Sequence, residues 1–261
     1  MILDTLADVS RQRVTEDKKK ISLFAMRAEA EGLPKDRAGI FRKALSGQGL
    51  HFITEVKKAS PSKGLIAPDF PYVLIAKQYE DAGASAISVL TEPKYFLGSD
   101  QYLREIREKV RIPLLRKDFT VDDYQVYQAK NLGADAVLLI CAILSDSQLE
   151  EYRLAAESLG MDALVEAHDA QEVERALRSG AKVVGVNNRN LKDFTVDIHN
   201  SMNLRQLVPP EILFVAESGI KSRAQTAELE QAGVNGVLIG ETLMRSGNMK
   251  EKLDELRGRS L

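Results

Sequence analysis

Six stretches of this chain set ionisable or amide side chains directly after an apolar run. Glu55-Val56-Lys57 is followed at once by Ser60-Pro61-Ser62. Then come Arg116-Lys117-Asp118-Phe119, Glu166 with His168, Asn187-Asn188-Arg189, Glu217-Ser218-Gly219 and Gly240-Glu241-Thr242. In an extended segment alternate residues share a face, so Glu55 and Lys57 should point together. The same alternation turns Arg116 and Asp118 away from the side that Lys117 faces. His168 lies beyond its run and suits the start of a following helix. Lysines in a partly desolvated pocket bind anions, act as general acids or form Schiff bases. Glu55 and Glu166 are then bases or electrostatic partners. The last two stretches offer small residues and backbone N–H groups, which suit a phosphate. Gly219 and Gly240 either let the backbone approach that phosphate or simply make tight turns. This is acid–base chemistry on a phosphorylated, anionic small molecule, with no metal or cofactor required. Residue chemistry alone does not name the reaction.

The frame that would hold these groups is a repeat of short apolar runs. They are His51–Val56, Ala86–Leu90, Ile112–Leu115, Ala136–Ile140, Asp162–Val165, Val183–Val186, Ile212–Ala216 and Gly236–Ile239. Strands apolar on nearly every position are buried on both faces, as in a parallel sheet covered by helices. The segments between them read as helices. Leu149, Tyr152, Ala156 and Leu159 form one apolar stripe. Ser145 with Gln148, Asp169 with Glu172, and Ser222 with Gln225 have capping-box spacing. Gly83, Gly133, Gly160, Gly180 and Gly233 stand where a helix must end before the next run. Eight strands alternating with eight helical segments predict a single (β/α)8 TIM barrel, whose catalytic groups sit at the C-terminal ends of strands. An open doubly wound sheet is the runner-up. No Gly-x-Gly-x-x-Gly follows the first run, which removes the dinucleotide-binding version.

Residues 1–48 precede the repeat and are expected to be an N-terminal helical extension of one barrel domain spanning 1–261. Ile2–Leu23 and Asp36–Leu45 are its expected helices. They cover one end of the barrel or also help to close the active site. The 36 Lys+Arg balance 38 Asp+Glu, so no surface for nucleic acid or an anionic membrane is expected. One cysteine precludes an internal disulfide, and three scattered histidines argue against zinc. The opening MILDTLADVSRQRVTEDKKK lacks the basic-then-apolar order of a secretory signal. A cytoplasmic location is therefore expected.

The motifs Glu-Val-Lys-Lys-Ala-Ser-Pro-Ser-Lys-Gly (55–64), Leu-Arg-Lys-Asp-Phe (115–119), Leu-Val-Glu-Ala-His (164–168), Asn-Asn-Arg-Asn-Leu (187–191), Ala-Glu-Ser-Gly-Ile (216–220) and Leu-Ile-Gly-Glu (238–241) together carry a resemblance. From about residue 2 to its end the chain resembles indole-3-glycerol phosphate synthase, a carbon–carbon lyase of tryptophan biosynthesis. A single barrel of this length looks like the stand-alone enzyme, not its fusion with phosphoribosylanthranilate isomerase.

The resemblance implies a substrate, 1-(2-carboxyphenylamino)-1-deoxyribulose 5-phosphate. It also implies ring closure with loss of carbon dioxide and water. Lys117 would then be the general acid and Glu166 the general base of the dehydration. Lys57 would bind substrate and assist proton transfer, and Glu55 would orient the lysines. Asn187 and Arg189 would position the substrate, with Ser60, Glu217 and Ser218 also binding it and Phe119 packing on its aromatic ring. Lys57, Ser218, Gly219, Gly240 and Glu241 would hold the phosphate, the last two mainly through backbone. Asn190 and Ala167 stand where the family more often has Asp and Val. The carboxylate of Glu241 sits beside a phosphate, which is unfavourable unless it turns away. A phosphoribosylanthranilate isomerase-like enzyme would want a Cys/Asp pair, and a catalytically silent phosphate-binding barrel would have shed acid–base residues. A monomer or weak homo-oligomer is expected, with contact to other tryptophan-pathway enzymes left open.

Overall fold

Alternate residues of eight short strands meet along one axis. In a computed structural model, which describes residues 2–190 and 193–259, these strands are β1 (His51–Val56), β2 (Ala86–Leu90), β3 (Leu114–Lys117), β4 (Ala136–Ile140), β5 (Asp162–Ala167), β6 (Val183–Asn187), β7 (Leu213–Glu217) and β8 (Gly236–Ile239). Leu191, the last residue of one motif above, lies outside the described residues. All neighbouring pairs are parallel, and the sheet closes β8 onto β1. This is the expected (β/α)8 barrel. Ile53, Leu115, Ala136, Leu138, Leu164, Val183, Val215 and Leu238 pack inside it. Phe52, Val56, Ile87, Val89, Val165, Val184 and Phe214 pack outward against the helices. Two-sided burial is why the strands read as unbroken apolar runs.

Parity then sets the site. Two residues past inward Ile53, Leu115, Leu164 and Val215 stand Glu55, Lys117, Glu166 and Glu217. The register pairs Glu55 with Ser88, Leu90 with Lys117, Ile140 with Glu166, and Asn187 with Glu217. The polar groups therefore lie in adjacent layers at one end.

Four strands run further than the apolar pattern suggested. The expected ends Leu115, Val165, Val186 and Ala216 become Lys117, Ala167, Asn187 and Glu217. Each added stretch carries polar site residues, which hydropathy cannot recognise as strand. The third strand also begins two residues late. Pro113 has no N–H for the ladder, and the Ile112 N–H is taken by Glu80 at 3.2 Å.

The N-terminal region differs in detail from expectation. Helix α1 ends at Lys20 (Ile2–Lys20), and an unforeseen helix α2 spans Leu23–Gly32. Ser22 divides them by accepting the Ala25 N–H at 3.2 Å as an N-cap. Helix α3 is shorter than expected, Ile40–Ala44. It inserts Phe41, with Leu45 just past its end, into the barrel interior. Arg42 binds Asp162 at the start of β5 at 2.5 Å, which fixes this plug at the end away from the site.

Candidate active site

The polar strand ends converge on a cavity of about 610 Å³, a size typical of small-molecule sites. Its floor is a buried charge cluster. Lys117 Nζ donates to Glu166 Oε2 at 2.8 Å and to Glu217 Oε2 at 2.6 Å. Lys57 pairs with Glu55. Ser88 Oγ donates to the other Glu55 oxygen at 3.4 Å. Asn187 Nδ2 donates to Glu166 Oε1 at 3.3 Å, while its own oxygen accepts the Arg189 N–H at 3.0 Å. Glu55, Glu166 and Glu217 are all 3% exposed or less, so their charges interact through protein and not through water.

That burial separates the two carboxylates on Lys117. Burial works against the charge of Glu166, but Lys117 and His168 outweigh it and hold this carboxyl down at about 2. Burial pushes Glu217 up to about 7, helped by Glu166 and Glu55 against the pull of Lys117. Burial alone would lower Lys117, yet Glu166, Glu217 and Glu55 keep it above its ordinary value. One ammonium thus faces one firmly ionised carboxylate and a second close to its titration point.

Phe119 and Phe96 form an aromatic wall, with ring centroids 6.0 Å apart. Ile2 and Leu6 of α1 also line the cavity. The extension therefore reaches the site end with α1 while α3 plugs the other. Arg116 and Asp118 turn outward, as alternation requires. Arg116 binds Asp100 at 2.8 Å, and Asp118 accepts from Arg13 of α1 at 2.7 Å.

The cavity is also lined by Ser60, Lys57, Ser218, Gly219, Gly240 and Glu241. Ser218 is a non-glycine residue at φ 69°, followed by Gly219 at φ 82°. Such backbone persists only where its surroundings hold it. Here Asn188 Nδ2 donates to the Ser218 carbonyl at 3.2 Å, and Thr242 Oγ1 ties the two loops through the Ile220 carbonyl at 2.7 Å. A Cβ on Gly240 would stand 2.5 Å from Glu55 Oε1 and 3.1 Å from Lys57 Cε. The glycine is required by this close approach. Glu241 is partnered by Arg245 at 3.2 Å and lies 3.8 Å from Lys63. That pairs its carboxylate with cations where it lines the cavity.

Arg189 is held by its own loop, donating to the Phe194 carbonyl at 3.3 Å. The cavity thus gathers the residues that the family resemblance would place in a site, while Arg116, His168 and Asn188 stand outside its lining. Sequence reasoning missed Ile2, Leu6, Phe96, Ser88 and Gly185. The apolar stripe of α1 reads the same whether it packs or lines a cavity. Gly185 did leave a signal, an isolated glycine inside a strand. A Cβ there would collide with Glu217 Oε1, so this glycine makes room for the buried carboxylate. Cys141 lies behind the sheet with its sulfur 3.5 Å from the Glu172 carbonyl, and burial pushes its thiol up to about 12. It is unsuited to the acid–base role an isomerase would give it. Among the described residues no group of His, Cys, Asp and Glu is arranged to hold a metal ion. No described helix is long and apolar enough to cross a membrane.

A family model described as indole-3-glycerol phosphate synthase matches residues 3–256. The chain is 55% identical over 258 residues to the indole-3-glycerol phosphate synthase of Ruminiclostridium cellulolyticum, covering 99% of each. It is 54% identical to that of Endomicrobium trichonymphae, covering 98% of this chain and 100% of the other. Among solved structures, a 3-hexulose-6-phosphate synthase superposes with TM-score 0.63 at 15% identity, over 80% of this chain and 99% of its own. That likeness shows the barrel alone. The six motifs converge on one cavity, and the match to whole relatives exceeds half identity: the chain belongs to the indole-3-glycerol phosphate synthase family.

Proposed function

We propose the following division of labour for the family's reaction, in which 1-(2-carboxyphenylamino)-1-deoxyribulose 5-phosphate closes to indole-3-glycerol phosphate with loss of carbon dioxide and water. The observation that carries it is Lys117 Nζ between Glu166 and Glu217, on the floor of a cavity with one aromatic and one phosphate-suited wall. Phe119, with Phe96, takes the anthranilate ring. Ser218, Gly219, Gly240 and Glu241 hold the phosphate with Lys57, the two loops contributing mainly backbone. Ser60, Asn187, Arg189 and Glu217 orient the chain between these ends.

Lys117 is kept protonated, the state from which a general acid starts. It protonates the ketone oxygen as the aromatic carbon attacks, which forms the ring bond. Loss of carbon dioxide returns the electron pair to the ring. Glu166 is kept ionised, the state from which a general base starts. It removes the proton that lets the hydroxyl leave as water and completes the indole. Lys57 assists that departure, and Glu55 holds Lys57 in place and stabilises positive charge on the nitrogen side. Two preorganised charge pairs in a water-poor cavity stabilise developing charge without reorganising.

The same reading takes the chain as one barrel domain with residues 1–48 as its extension, cytoplasmic, and monomeric or weakly self-associating. Contact with other enzymes of the pathway would be transient. The test is to incubate the purified chain with the carboxyphenylamino-deoxyribulose phosphate and follow indole fluorescence without added metal or nucleotide. Formation of indole-3-glycerol phosphate is expected; its absence refutes the assignment.

A further inference from the structure

One titratable side chain of the site has no part in the steps above. His168 follows β5 and precedes Asp169, the N-cap of the helix Ala170–Arg178. Its ring stands between two carboxylates, with Nδ1 3.0 Å from Glu172 Oε2 and Nε2 3.4 Å from Glu166 Oε1. Its backbone N–H donates to the same Glu172 oxygen at 2.8 Å, and its carbonyl accepts from Asn200 Nδ2 at 3.2 Å. Glu172 is available for this because the expected capping box is only half made. Asp169 accepts the Glu172 N–H at 2.9 Å, but the Glu172 side chain turns to His168 and not to the cap.

We propose that His168 is a positioning residue for Glu166, held as an imidazolium between Glu172 and Glu166 so that the base stays oriented and ionised. The proposal rests on Glu166 being the base of the reaction. Neither neutral tautomer fits this geometry. With the proton on Nδ1, the Nε2 lone pair faces Glu166. With the proton on Nε2, the Nδ1 lone pair faces Glu172. Only the doubly protonated ring presents an N–H to each carboxylate. Nε2 is buried and outside hydrogen-bond geometry, 3.4 Å from Glu166 Oε1, so the pair would act through charge and not through a directed hydrogen bond. Glu166 Oε1 is then flanked by Asn187 and His168, and Oε2 by Lys117.

Charge balance favours the same state. The cavity floor sets Glu55 and Glu166 against Lys57 and Lys117, with Glu217 close to its titration point. Glu172 adds a carboxylate on the far side of the ring, and an imidazolium offsets it. Burial alone would push the imidazole down, but Glu172, Glu166 and Glu217 raise it above its ordinary value. The other groups facing it do not oppose this. Cys141 is a neutral thiol. Arg175 is engaged by Asp146 and the carbonyls of Cys141 and Leu144. Lys117 stands beyond Glu166. The positive helix end is offset by Asp169 and Glu172 in its cap and first turn.

The chain has three histidines, His51, His168 and His199. Their imidazole nitrogens can be followed by NMR of the 15N-labelled full chain from pH 6 to 9, with His168→Gln assigning the signal. His168 is expected to carry both protons at pH 7.5 and to titrate above His51, whose imidazole burial pushes down. In Glu166→Gln its titration should move down by about one pH unit or more. In His168→Gln kcat should fall by about tenfold or more with KM changed less, as Glu166 loses the neighbour that orients it. A singly protonated His168 at pH 7.5 overturns the proposal, and so does an unchanged kcat. If His168→Gln does not fold, the wild-type and Glu166→Gln titrations decide alone. If the wild-type chain turns over no substrate, the functional reading fails, while the titrations still decide the charge state.

Discussion

Glu217→Gln should change the pH dependence of stability in a calculable way. Burial, with Glu166 and Glu55 nearby, pushes the Glu217 carboxyl from 4.5 to about 7. A group raised on folding contributes stability that is fully present below its unfolded pKa and lost as pH rises through the folded one. Once ionised, a carboxyl displaced this far weighs about 3 kcal/mol against the fold. Across pH 5–8 the wild-type chain should therefore lose about 2–3 kcal/mol relative to the variant. The amide itself carries a cost, because Glu217 Oε1 is buried without a hydrogen-bond partner and an N–H2 there would also lack one. That cost is the same at every pH and cancels in the comparison. Glu166, held down at about 2, titrates below this window. The assay is urea unfolding at half-unit pH steps. With slopes of about 2–3 kcal/mol/M, the two midpoints should diverge by about 1 M between pH 5 and pH 8. Parallel midpoints across that range would show that Glu217 is ionised throughout, and the argument from burial would be wrong.

Three further outcomes follow from the geometry. Lys117→Ala should lower kcat by about 10²–10⁴-fold, the usual cost of losing a general acid; near-normal kcat would remove Lys117 from that role. Ser218→Ala should raise KM more than it lowers kcat, because a grip on the phosphate acts equally in ground and transition states. The opposite split would place Ser218 in the chemistry. Gly240→Ala should lower kcat/KM by at least about tenfold with an unchanged circular dichroism spectrum, since its Cβ would displace the Glu55–Lys57 pair and misplaced catalytic groups are costly. Wild-type kinetics would mean that this pair need not be held where it stands.

Much of the barrel was legible because its signals are local. Gly83, Gly133, Gly160, Gly180 and Gly233 all adopt positive φ at helix ends, as their positions required. Ser145 and Ser222 complete their capping boxes. At the C-terminal ends of strands hydropathy failed where polarity and strand coincide, at Arg116-Lys117, Glu166-Ala167, Asn187 and Glu217. Lys117, Glu166, Asn187 and Glu217 are polar because they face a cavity, and a pattern of apolar runs ends before them. The division between α1 and α2 was missed because Ser22 caps without any break in helix-forming composition.

Residue order was sufficient for parity. Glu55 with Lys57, and Lys117 apart from Arg116 and Asp118, follow from the two-residue period of a strand whatever surrounds it. What each charge does needed the closed barrel. Glu166 and Glu217 are the same residue type at equivalent strand ends, yet one is held ionised and the other is pushed toward neutrality. Glu166 gains Asn187 and His168 beside Lys117, whereas Glu217 lies against Gly185 with one oxygen unpaired. Apart from His168, two residues beyond Glu166, those neighbours come from other strands at sequence distances that no local pattern spans, and Coulomb energy depends on the distance in space.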